Sequence, residues 1–110
     1  MSGFIEFVET SVFTQRIQEL LSDEEYRELQ SELARNPKAG DVIPAGNGLR
    51  KVRWKSKRKT SGKRGGIRII YYYLSASRLY MIFAYDKALQ GDLTRVQLKI
   101  LSKYVKEGVL

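Results

Sequence analysis

"GLRKVRWKSKRKTSGKRGGIRIIYYYLSASRLYMIFAYD", residues 48–86, decides how the chain is read. Three runs within it, Leu49–Lys55, Ile67–Leu74 and Arg78–Asp86, are rich in β-branched and aromatic residues and read as strands. "SAS" between the last two is short enough for a hairpin, and "KSKRKTSGKRGG" is a longer, glycine-containing link between the first two. Side chains alternate between the faces of a strand. Val52 and Trp54 are therefore expected on one side, and Lys51, Arg53 and Lys55 on the other as a solvated cationic ridge. In the next run Arg68 shares a face with Ile70 and Tyr72, opposite Ile67, Ile69, Tyr71 and Tyr73. Pairing of these two strands lets Arg68 join the ridge.

Outward from this core the pattern turns helical. "FIEFVE" (4–9) fits a strand with one buried face, and Phe13, Ile17, Leu20 and Leu21 then recur at helical spacing. Ser22 and Glu25 form a capping-box pair at the start of a second helix. The apolar face of that helix is Tyr26, Leu29 and Leu33, and Asn36-Pro37 stops it. "GDVIPAGNG" (40–48) is turn-rich. After the strands, Asp92 is read as the N-cap of a last helix whose apolar residues are Leu93, Val96, Ile100, Leu101 and Tyr104. The expected order is β-α-α-β-β-β-α. That makes a single α+β domain, residues 1–110, with helices packed on a mostly antiparallel central sheet.

Charge is divided unevenly along this order. Residues 1–41 carry nine acidic and four basic side chains, and residues 42–110 carry three acidic and sixteen basic, which together return the net +8. Ten of the 20 Lys and Arg residues lie between Arg50 and Arg68, with no acid among them. Clustering of that kind makes a polyanion the expected partner. The chain has no Cys and no His, which removes a thiolate nucleophile, the usual neutral-pH acid–base group and most zinc and transition-metal sites. No metal or cofactor is expected, and any catalysis falls to Lys, Arg, Tyr, Asp or Glu. "MSGFIEFVE" lacks the pattern of a signal peptide, and no apolar span of about 18 residues occurs, so a soluble protein with no membrane partner is expected.

Two uses of the basic stretch remain open at this level. It binds phosphates only, or it also cleaves RNA. Attack of a 2′-OH on the adjacent phosphate needs a proton acceptor, stabilisation of the developing charge, and a proton donor for the leaving oxygen. A lysine surrounded by cations can act as the base, and a guanidinium matches phosphate oxygens through its planar fork. Arg50, Lys55, Lys57, Arg58, Lys59, Lys63 and Arg64 supply RNA-binding charge, the loop residues among them as a mobile flap. Tyr71, Tyr72, Tyr73, Tyr80 and Tyr85 are candidates for stacking on bases, although strand tyrosines more commonly pack.

The combination "GDVIPAGNGLRKVRW", "GKRGGIRIIYYYL" and "LYMIFAYDKALQGDLT", spanning about residues 40–94, resembles the HigB branch of the RelE-like toxins of bacterial type II toxin–antitoxin modules. The resemblance implies a RelE-like fold and a small cytoplasmic, metal-independent endoribonuclease that cuts messenger RNA on the ribosome. By that resemblance Lys51 and Arg53 match the basic pair of the second strand, Arg68 the phosphate-binding arginine, and Lys87 and Tyr85 the end of the fourth strand. The general acid is left open between Lys87 and Tyr85, because Ala88 stands where some relatives have a catalytic arginine. A cognate antitoxin of helix-turn-helix type is the implied partner, beside ribosome and message. The alternative is a non-catalytic relative that binds DNA gyrase, RNA or the ribosome without cutting RNA.

Overall fold

The computed structural model describes residues 4–55 and 66–107. The chain forms β1 (Glu6–Glu9), α1 (Ser11–Leu20), α2 (Asp23–Arg35), β2 (Asp41–Val42), β3 (Leu49–Trp54), β4 (Ile67–Ser75), β5 (Arg78–Asp86), α3 (Lys87–Gln90) and α4 (Arg95–Lys106). One mixed five-stranded sheet runs β1-β5-β4-β3-β2; β1 lies parallel to β5 and the other neighbours are antiparallel. The architecture is α+β. Two short elements were not expected: β2 arises inside the turn-rich segment, and α3 follows β5 directly.

The sheet is covered on both faces. Ile67, Ile69 and Tyr71 of β4 pack with Phe13 and Ile17 of α1 and with Leu29 and Leu33 of α2. Ile70 of β4 instead packs with Leu49, Tyr80, Ile82, Phe83 and Tyr85, and Leu101 of α4 closes that second core. The alternation read from "IRIIYYYL" thus separates two cores. Ser22 and Glu25 form the expected capping box of α2.

β5 does not keep simple alternation. Ile70 pairs with Phe83 but Tyr71 with Met81, so Ile82 is an extra residue in the ladder. Leu79 and Met81 face α1 and α2, whereas Phe83 and Tyr85, in phase with them by a count of two, lie on the opposite face. The bulge carbonyl of Ile82 accepts a hydrogen bond from Thr10 Oγ1 (2.8 Å), and the same hydroxyl oxygen caps α1 by accepting from Phe13 N. One threonine fixes both the bulge and the helix start.

The end of the chain corrects two expectations. Thr94, not Asp92, is the N-cap of α4, in a capping box with Gln97. The apolar face of α4 is also rotated: Leu98, Leu101 and Val105 face the second core, while Val96, Ile100 and Tyr104 are exposed. No helix among the described residues is long and apolar enough to cross a membrane.

Candidate functional site

Three strands deliver one row of side chains on the α4-facing side of the sheet. Arg53 of β3 stands opposite Arg68 of β4, and Arg68 stands opposite Tyr85 of β5. Lys51 follows two residues from Arg53, opposite Ile70, where the apolar core begins. The bulge at Ile82 is what brings Tyr85 onto this face. Like charges directly opposite each other destabilise a sheet. An anion between or above them reverses the sign of that interaction.

The row has depth. Arg53 is exposed, but Arg68 is only 6% exposed. The expected solvated ridge is thus corrected at its central member, which sits on β4 between β3 and β5. Gly66 lies close to the guanidinium: a Cβ on it would lie 3.7 Å from Arg68 Nη1 and 3.0 Å from the Trp54 carbonyl oxygen. With φ at +68°, the position also demands a backbone that glycine adopts most readily.

Asp92 is the residue that sequence reading misplaced. Its Oδ1 accepts from Leu93 N (2.8 Å), Tyr85 Oη (3.2 Å) and Lys51 Nζ (3.4 Å). The Leu93 N–H above all, and then the Lys51 charge, hold the carboxyl below the usual carboxylate range. Tyr85 is 2% exposed, and burial foremost, then the Asp92 charge, pushes its phenol up to about 12. The Arg68 charge pulls the other way. Tyr85 is therefore a neutral phenol donating to an ionised carboxylate. Lys51 also donates to Asp92. The surroundings of Lys51 therefore include a carboxylate as well as the cations expected around a lysine base.

The remaining predicted residues fall into separate places. Arg50 lies on the other side of β3, and its Nη1 donates to the carbonyls of Gly40 (2.8 Å) and Lys38 (3.3 Å). It ties the end of the helical hairpin to the sheet. Lys55 is exposed just beyond β3. Lys87 opens α3; its backbone N–H donates to the Gly66 carbonyl, and its exposed ammonium forms no ion pair with a described residue. Lys57, Arg58, Lys59, Lys63 and Arg64, with the expected flap, lie outside the described residues. Of the tyrosines expected to stack, Tyr71 is fully buried and donates to the Pro37 carbonyl, and Tyr80 is buried in the second core.

A groove of about 540 Å³, lined in part by Asp41, Ile43, Pro44, Lys51 and Arg53, runs beside β2. Among the described residues no three carboxylates or other ligating side chains converge to hold a metal. No protein-family model matches the chain. The signal that marks Asp92 was present in the composition: beyond Asp41 the basic part of the chain keeps only Asp86, Asp92 and Glu107 as acids.

Proposed function

We propose that this protein is an endoribonuclease of the RelE-like toxin type, acting on ribosome-bound messenger RNA through 2′-OH attack on the adjacent phosphate. The observation that carries this reading is the convergence of Lys51, Arg53, Arg68 and Tyr85 from three strands onto one end of one sheet face. Three cations hold and neutralise a phosphate. Arg68, opposite Tyr85 in the ladder, brings a guanidinium to the place where charge develops in the transition state. Tyr85, kept protonated at neutral pH, is the donor for the leaving 5′-oxygen. Between Lys87 and Tyr85, it is Tyr85 that is hydrogen-bonded into the cluster.

The charge division fits a polyanionic target. Exposed Asp23, Glu24, Glu28 and Glu32 of α2 lie on the face of the sheet opposite the arginine row. A phosphate-rich surface thus attracts one side of the molecule and repels the other. A cognate antitoxin is part of the same proposal.

The test is induction of the protein in a bacterium with 5′-end mapping of a translated message and analysis of the new 3′ ends. The expected result is cleavage within translated regions, with 2′,3′-cyclic phosphate on one fragment and 5′-hydroxyl on the other. Growth arrest with every message intact overturns the nuclease reading in favour of poisoning by binding alone.

A further inference from the structure

Resting on that reading, the cluster still needs a group to take the 2′-OH proton, and its own residues narrow the choice. Arg53 and Arg68 are permanently protonated donors. Lys51 donates from its ammonium in the ion pair, and Tyr85 donates its phenol proton. The Asp92 carboxylate, which accepts from both, is the acceptor at their meeting point, and with its side chain 67% exposed it is open to a ligand seated on Lys51 and Arg53.

We propose that Asp92 is a catalytic residue, the general base that removes the 2′-OH proton. The carboxylate takes that proton as the 2′-oxygen forms its bond to phosphorus. The bond from phosphorus to the 5′-oxygen breaks, and the leaving oxygen takes the Tyr85 phenol proton. RNA is left as a 2′,3′-cyclic phosphate and a 5′-hydroxyl, and the protein as a protonated Asp92 beside a tyrosinate. The hydrogen bond joining Tyr85 Oη to Asp92 Oδ1 is then the return path: the proton passes from the carboxyl to the tyrosinate and both groups are restored. The cycle consumes no proton from solvent. Lys51 neutralises the phosphate and orients the carboxylate.

The experiment uses the full chain with ribosomes programmed with a short message, in single turnover at saturating protein. Asp92→Asn keeps an oxygen for Leu93 N–H and Tyr85 Oη but is no base. Its cleavage rate constant is expected to fall by about 10²–10⁴ with affinity for message undiminished, and Asp92→Glu to recover part of the loss. A message carrying bridging 5′-sulfur at the cut site separates base from acid, because a thiolate leaves without a proton. On that message Tyr85→Phe is expected to recover most of its rate and Asp92→Asn to stay slow. Recovery of Asp92→Asn shows that Asp92 acts only through Tyr85 and overturns the base assignment, as does an Asp92→Asn protein that cleaves the ordinary message at the wild-type rate. Wild-type protein that leaves message whole overturns the nuclease reading itself. Helical circular dichroism melts verify that each variant is folded, and a misfolded Asp92→Asn leaves the decision to Asp92→Glu: no activity above that of Asp92→Ala counts against the proposal.

Discussion

Tyr85 and Arg68 divide the labour of the row differently, and removing each has a different signature. The Tyr85 hydroxyl donates to Asp92, and removing it takes away no packing volume of the ring, so Tyr85→Phe is expected to keep the fold while the cleavage rate drops by about 10²–10⁴. Melting temperature and single-turnover rate measured together check this. Arg68 is buried, and its stem is packing as well as a support for charge. Arg68→Ala is expected to lower the rate by about 10²–10³ and also to destabilise the fold by about 1–3 kcal/mol. Arg68→Lys restores most of the stability and little of the rate, since the ammonium lacks the fork. A melt of Arg68→Ala indistinguishable from wild type contradicts the packing role. At this scale the sequence showed which residues share a face. It did not show depth: Arg68 lies on a strand paired on both sides, and that pairing joins distant parts of the chain. The role of Asp92 was hidden for the same reason, because its partners lie 41 and seven residues away.

Elements place the row, and their joints are where it is vulnerable. Thr10 caps α1 and binds the Ile82 bulge, so Thr10→Ala is expected to cost about 1–2 kcal/mol, the upper range for a lost cap. Gly40 sits where a Cβ would lie 2.9 Å from both the Lys51 carbonyl oxygen and the Tyr71 ring, and its N–H donates to Tyr71 Oη. Gly40→Ala forces backbone apart and is expected to cost about 1–3 kcal/mol. Urea unfolding checks both variants, with a lower midpoint and an unchanged slope. Periodicity made β3, β4, β5, α1 and α2 legible, and the Ser22–Glu25 pair located the start of α2. The bulge was illegible because it is a property of the β4–β5 register, not of either strand's own pattern. Without it, counting by two puts Tyr85 on the wrong face. Asp92 and Thr94 are both good caps by residue type, and the reciprocal Gln97 partner is what makes Thr94 the cap of α4.

Across the whole molecule, charge and buried phenols set the response to solvent. Phosphate contacts by the basic face predict a steep salt dependence: six to ten contacts lose about 10³–10⁵ in affinity between about 50 and 200 mM salt. Co-sedimentation with ribosomes over that range measures it, and a flat profile contradicts the role of the basic face. Tyr26, Tyr71 and Tyr85 all hold their protons above the ordinary phenol range, chiefly through burial. The unfolded chain ionises its phenols first, near pH 10. Stability that is complete below about pH 10 is therefore lost as pH rises above it, through about 12 for Tyr85. Urea midpoints at about pH 9 and about pH 11 are expected to fall, and equal midpoints contradict the burial of these hydroxyls. The overall charge asymmetry was legible from composition; its division across the two faces of a sheet became visible only with the strand order.

The parallel pairing of β1 with β5 sets an order of assembly. Glu6 is in register with Arg78, and Thr10 reaches the Ile82 carbonyl 72 residues along the chain. During synthesis the acidic helical hairpin emerges before β4 and β5, the strands on which it packs. The arginine row closes only after β5 has followed, and Asp92 comes later still. A growing chain therefore carries its charges well before it carries an assembled site. The ribosome that makes this protein is the last to meet it unfinished and the first to meet it complete.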